Sequence, residues 1–140
     1  MVAYIDSSVI LRHILLGETA IKHAFACDRA VSSELTEIEC RRVLHRYRMD
    51  EDVDDEGFLQ SVERLAAVLG GISVVGLSGP VKNRAMASFP VSMRTLDALH
   101  IASVETYARS FPHDSVAVFT HDRAMNRCAT VLGYATPLSA

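Results

Sequence analysis

Apolar and polar positions along this chain repeat with two alternating periods. Residues 2–5 (Val-Ala-Tyr-Ile) form a short unbroken apolar run that stops at Asp6, the pattern of a strand covered on both faces. From residue 8 to residue 16 apolar side chains recur at helical spacing; Gly17 breaks that helix and the pattern resumes over 18–27. A very short strand is expected at 30–31, before Ser32-Ser33. Thr36-Glu37-Ile38-Glu39 has the S/T-x-x-E form of a capping box, which predicts a long helix through about Met49. The acidic stretch 50–56 predicts an exposed turn leading into a helix over 56–69, because carboxylates suit the positive end of a helix dipole. Gly70-Gly71 stops it. Residues 72–77 read as a strand, and Ser78-Gly79-Pro80 opens a helix that ends before Phe89-Pro90. A helix is expected over 95–109, with Leu96, Leu99, Ala102 and Val104 among its buried residues. Then come a buried strand at 116–120, a helix at 122–132 with Gly133 as its cap, and a closing strand at 134–138.

Strands alternate with helices throughout, which predicts an α/β fold: a central, mostly parallel sheet flanked by helices on both faces. With 140 residues and no repeat, low-complexity tract or linker, residues 1–140 are expected to form a single domain around one core. No apolar run approaches the ~20 residues needed to span a bilayer. The N-terminus enters a strand with no basic leader, so no targeting peptide is expected and the cytoplasm is the default. Cys27, Cys40 and Cys128 are too scattered for a disulfide framework or a zinc site and read as free thiols.

The strand ends carry the candidate chemistry. Asp6 follows the first strand and Asp122 follows the strand at 116–120, and in open α/β sheets ligands sit beyond the carboxyl ends of the strands. Taken singly, each is equally an ordinary helix cap, and Glu39 is equally the reciprocal glutamate of the capping box. Asp97 is different, because apolar neighbours enclose it in Thr95-Leu96-Asp97-Ala98-Leu99-His100. Four acids at strand ends or first helical turns can open onto one end of a parallel sheet. Packed together they repel, and hard divalent cations that prefer oxygen relieve that repulsion. The histidines, His13, His23, His45, His100, His113 and His121, show no zinc-ligand spacing. His100 shares the Asp97 helix face and is expected to pack or support rather than ligate.

A net charge of −3 argues at first against a nucleic-acid partner, since phosphate binding favours a basic face. Setting four acids aside as ligands leaves acids and bases nearly balanced. Twelve of the fourteen basic residues are arginine, the lysines being only Lys22 and Lys82. Arg42, three residues after Glu39, is a candidate phosphate contact, and a solvated helix with scattered ion pairs is the alternative.

The succession Tyr4-Ile5-Asp6-Ser7-Ser8, Ser33-Glu34-Leu35-Thr36-Glu37-Ile38-Glu39, Arg94-Thr95-Leu96-Asp97-Ala98-Leu99-His100-Ile101-Ala102 and Phe119-Thr120-His121-Asp122 resembles the PIN-domain family, most of all the VapC-type toxins of bacterial VapBC toxin–antitoxin systems. The likeness runs over residues 2–138. It implies a PIN-like fold and a metal-dependent endoribonuclease that hydrolyses single-stranded or looped RNA with Mg²⁺ or Mn²⁺, leaving a 5′-phosphate and a 3′-hydroxyl. By position, Asp6, Glu39, Asp97 and Asp122 match the family's four catalytic, metal-holding acids. Ser8 and Thr120 match hydroxyl residues that support them from behind. Glu37 competes with Glu39 for the second acid, but two residues along a helix is nearly the opposite face, and Glu39 fits the family spacing. The resemblance also implies a cognate VapB-type antitoxin and a homodimer, for which the second to fourth helices offer apolar faces. Two other readings stand beside it. A catalytically silent PIN-like domain that binds RNA or protein remains open. A phospho-acceptor domain needs a lysine near the acids, and Lys22 and Lys82 lie in helical stretches away from the strand ends.

Overall fold

The computed structural model describes residues 1–139. Strands β1 (Val2–Ile5), β2 (Arg29–Ser33), β3 (Ser73–Val75) and β4 (Val116–Phe119) form one sheet in the order β3-β2-β1-β4, and every neighbouring pair is parallel. Parallel neighbours require crossovers, and helices supply them. Helices α1 (Ser7–Leu16) and α2 (Ala20–Phe25) join β1 to β2, α3 (Leu35–Met49) and α4 (Asp55–Leu69) join β2 to β3, and α5 (Gly79–Ala85) and α6 (Thr95–Ser110) join β3 to β4. Helix α7 (Arg123–Val131) follows β4.

The two-residue period of the strands divides the core. Ala3, Ile5, Ala117 and Phe119 face one side, where they pack with α1 to α4 through Ile10, Ile14, Ile21, Leu44 and Leu65. Val2, Tyr4, Val116 and Val118 face the other and pack with α6 and α7 through Ile101, Val104, Met125 and Cys128. Both faces of β1 and β4 are therefore covered, which is why these strands read as unbroken apolar runs.

The connections place the site. From β1 the chain steps to β2 and β3 on one side, then returns to add β4 on the other. The crevice between the carboxyl ends of β1 and β4 is thus the switch point of the sheet, the usual binding position in open α/β folds. Ile5 and Phe119 lie abreast in the ladder, so Asp6 and Thr120 leave the sheet side by side.

Several expected details differ. The 134–138 strand is reduced to one parallel bridge, Ala117 to Ala135, with the Val118 N–H donating to the Ala135 carbonyl at 2.8 Å. Pro137 has no N–H to extend a ladder, and the chain turns back with Ser139 N–H on the Thr136 carbonyl at 3.1 Å. The capping box does not form. Helix α3 begins at Leu35, whose N–H donates to Ser33 Oγ at 3.1 Å, and Thr36 lies buried inside the helix with its hydroxyl 2.6 Å from Ser32 Oγ. Leu96, expected in the core, is 46% exposed, while Ala98 in the same turn is buried. The breaks at glycine hold: Gly17 adopts φ 68° at the end of α1, and Gly133 adopts φ 94° beyond α7, conformations that a Cβ disfavours. Cys40 and Cys128 are buried free thiols, while Cys27 is only partly buried.

Candidate active site

Asp6 is the N-cap of α1. Its Oδ1 accepts from the Ser8 N–H at 3.1 Å, the Ser8 hydroxyl at 2.6 Å and the Val9 N–H at 3.4 Å. Its Oδ2 accepts from the Thr120 hydroxyl at 2.6 Å. The capping and site readings of this residue are therefore compatible: the cap orients the carboxylate, and Thr120 holds it from the neighbouring strand. The two strand ends are bonded once more, by the His121 N–H to Ser8 Oγ at 3.0 Å, and within the segment after β4 the Asp122 N–H donates to Thr120 Oγ1 at 3.0 Å. Burial pushes the Asp6 carboxyl up, against the lowering effect of the Ser8 and Thr120 hydrogen bonds.

Asp122 is the N-cap of α7, with Oδ1 accepting from the Met125 N–H at 2.8 Å. Asp97 sits in the first turn of α6. An open groove beside it is walled by Glu39, Asp97 and Asp122, with Arg94, His121 and Arg123 along its rim. Burial raises the Asp97 carboxyl first and the Asp122 charge next; Asp6 and Glu39 add to the rise, and His100 opposes it. The other three sequence-matched acids thus all act on the charge of Asp97; Glu39, Asp97 and Asp122 line the groove, and Asp6 is buried.

Glu39 and Glu37 occupy different environments. Glu39 Oε1 lies 2.6 Å from His100 Nε2, and His100 Nδ1 lies 2.7 Å from the Tyr4 hydroxyl. Glu37 is on the surface, paired with Arg41 at 2.7 Å. A carboxylate facing Nε2 requires a proton there, so in the neutral ring the Tyr4 hydroxyl donates to Nδ1 and Nε2–H donates to Glu39. Burial pulls His100 down, but the hydrogen bond and charge of Glu39, with Asp6 and Asp97, outweigh it and hold the imidazole above its ordinary value. The ring is buried at the centre of this chain of contacts. Sequence spacing placed His100 on the Asp97 face but did not identify Tyr4 or Glu39 as its partners, since both contacts span distant segments.

This arrangement yields a stability prediction. Tyr4 is fully buried, and Tyr4→Phe leaves His100 Nδ1 without a partner where water cannot reach it. The expected cost is about 1–2 kcal/mol in urea unfolding. An unchanged denaturation midpoint would show that the hydroxyl contributes nothing to the folded state.

The donor set is entirely oxygen, which suits a hard divalent cation and not zinc held by nitrogen or sulfur. Among the described residues no three Asp, Glu, His or Cys side chains converge closely enough to hold an ion as placed. Glu39 is held on His100 and Asp122 on the Met125 N–H. A positive charge among these carboxylates would offset the part of the Asp97 rise that Asp122, Asp6 and Glu39 cause. Chemically the residues fit such an ion. Arg42, the expected phosphate contact, is exposed on α3 and is not among the residues lining the groove.

Comparison with known proteins agrees with this geometry. The PIN domain family model matches residues 3–130, a span that includes all four acids. Ribonuclease VapC47 of Mycobacterium tuberculosis (strain CDC 1551 / Oshkosh) is 31% identical over 110 residues, covering 78% of this chain and 71% of that protein. Among solved structures, a toxin–antitoxin complex from Klebsiella pneumoniae superposes with a TM-score of 0.66 at 17% identity, covering 99% of each chain. PAE2754 from Pyrobaculum aerophilum superposes at 0.63 with 19% identity, over 91% of this chain and 78% of the other. At these identities the two structures speak for the fold.

Proposed function

The chain belongs to the PIN-domain family, in its VapC type, and from that premise we propose that it is a metal-dependent endoribonuclease acting as the toxin of a type II toxin–antitoxin pair. The observation that carries the reading is the groove at the sheet's switch point, which Glu39, Asp97 and Asp122 line, with the buried Asp6 close enough to act on the charge of Asp97. The kinship to a ribonuclease supplies the substrate class.

Asp6 and Asp97 would hold Mg²⁺ or Mn²⁺, with Glu39 and Asp122 completing the oxygen set directly or through water. The bound ion supplies Lewis-acid stabilisation of the phosphate and lowers the pKa of a water. The Ser8 and Thr120 hydroxyls fix both oxygens of Asp6, so its carboxylate does not reorganise during the reaction. His100 aims Glu39 toward the groove. Arg94 and Arg123 on the rim offset the negative charge of an approaching phosphate. Attack by water in place of the RNA 2′-hydroxyl leaves a 5′-phosphate and a 3′-hydroxyl.

A VapB-type antitoxin and a second copy of the chain are the partners we infer. Leu16, Ile38, Met49 and Leu59 expose apolar surface on α1, α3 and α4 for such contacts. No described helix is long and apolar enough to cross a membrane, and a cytoplasmic site of action is part of the proposal.

The test is cleavage of RNA in Mg²⁺ or Mn²⁺ against EDTA, with mapping of the new 5′ ends. Cleavage should require the ion and leave 5′-phosphates. Full activity in EDTA would overturn the metal mechanism. RNA binding without cleavage under any divalent ion would favour a silent PIN-like domain.

A further inference from the structure

A second trough adjoins the acid groove and shares His121 and Arg123 with it as walls. From there it runs along α7 past Asn126, Arg127 and Thr130 to Leu138 of the C-terminal segment. It differs from its neighbour in its acids: Arg123, Arg127 and His121 line it beside apolar Val131 and Leu138, no carboxylate does among the described residues, and the nearest one to His121 is Glu18 at 3.9 Å. Arg123 and Arg127 are four residues apart on one helix, which sets their stems about 5–6 Å apart on the same face. Neither forms an ion pair among the described residues, whereas Arg12, Arg41, Arg48 and Arg84 are each tied to a carboxylate. Two unpaired guanidiniums side by side repel each other, and adjacent phosphates of an extended strand relieve that repulsion while receiving forked hydrogen bonds.

We infer that this trough binds the phosphodiester backbone of single-stranded RNA on one side of the scissile bond, with Arg123 at the junction and Arg127 one step outward. The inference rests on the ribonuclease reading for the identity of the acid groove. It explains how a protein of net charge −3 holds a polyanion. Arg123 and Arg127 stand where the strand leaves the acids, and a divalent ion would cover the acids themselves. The contact goes to phosphates, so it positions the strand without reading its sequence. The footprint is consequently one-sided, and an RNA extended past the cut toward α7 binds more tightly than one extended the other way.

The experiment measures binding of a short labelled single-stranded RNA by fluorescence anisotropy in EDTA, where no cleavage occurs, across roughly 50 to 200 mM salt. Wild type is compared with Arg123→Ala/Arg127→Ala, with Arg123→Lys/Arg127→Lys, and with Arg46→Ala, an exposed arginine of α3 that lines neither groove. Melting curves confirm that each variant is folded. Each phosphate contact on a single strand contributes about −0.7 to the slope of log affinity against log salt, so the double alanine variant should be shallower by about 1.4. Its affinity should fall several-fold at the low-salt end. The lysine variant keeps the charges and should restore most of the slope, and Arg46→Ala should match wild type. An unchanged slope in the double alanine variant overturns the inference. So does an equal loss in Arg46→Ala, which would mean general electrostatics. Intact RNA binding with lost binding of polyglutamate would assign the trough to an acidic protein partner and likewise overturn it. Failure of wild type to cleave RNA in Mg²⁺ or Mn²⁺ would defeat the ribonuclease reading separately, and the salt slopes would still decide what the trough binds.

Discussion

Asp6→Asn should reduce RNA cleavage by about a thousandfold or more while leaving the fold nearly as stable as wild type. The rate effect follows from charge. Loss of the carboxylate weakens the hold on a cation that contributes several kcal/mol of transition-state stabilisation, and about 4 kcal/mol corresponds to a factor of a thousand. The stability effect is small for two reasons. Burial already raises the Asp6 carboxyl, so a neutral amide sheds a desolvation cost that the carboxylate bears. The amide also keeps an oxygen to accept from the Ser8 N–H and hydroxyl, and its nitrogen can donate to Thr120 Oγ1 in place of the bond Thr120 now gives. The net change should be on the order of 1 kcal/mol. Initial rates at saturating Mg²⁺ and a urea curve on the same preparation check both halves. Expressed alone in a bacterium, the wild type should arrest growth and soluble Asp6→Asn should not. Undiminished cleavage by the folded variant would remove Asp6 from the site.

Glu39→Gln and Glu37→Gln should separate by about two orders of magnitude in cleavage rate. Glu39 stands on the groove wall, and its carboxylate is the acceptor at the end of the Tyr4–His100 chain. Glutamine keeps a carbonyl to accept from Nε2–H, so the fold should tolerate the change, but it loses the charge that a cation or an activated water requires. A carboxylate that orients such a site typically contributes 10–100-fold or more. Glu37 faces solvent and forms an exposed (i, i+4) pair with Arg41, an interaction contributing about 0.3–0.5 kcal/mol, so Glu37→Gln should be nearly silent in rate and in melting temperature. Parallel assays of the two variants decide it. A silent Glu39→Gln would mean that the groove's chemistry needs only the three aspartates.

How much of this was legible in the amino-acid order depends on the distance each feature spans along the chain. Elements built from contacts within four residues were readable: the apolar run of β1, the helix begun at Asp6 and broken at Gly17, the proline-opened α5, and the glycine after α7. From the alternation of strands and helices followed a parallel sheet, and from the sheet followed strand ends able to bring Asp6 and Asp122 together. The motifs around Asp6 and Asp97 already pointed to the family, because residue type and order survive without coordinates.

Features that depend on segments far apart had to wait for the tertiary structure. The capping box at 36–39 satisfied a local rule, yet Glu39 bonds to His100, 61 residues away. Partners such as Tyr4 with His100, 96 residues apart, and Asp6 with Thr120, 114 apart, follow no periodicity. The 134–138 segment had strand-like residues, but Pro137 and the turn after it limited pairing to a single bridge. Leu96 matched a buried helical position, yet it lies on the exposed side of α6. By itself, the order of residues determined which segments are strands and helices and which side chains carry charge, since those depend on near neighbours and on chemistry. Only the packing of distant segments decided which charges lie near one another and which side chains they bond to, such as Glu39 to His100. A hydrogen bond or a Coulomb interaction depends on separation in space, and the fold sets that separation independently of distance along the chain.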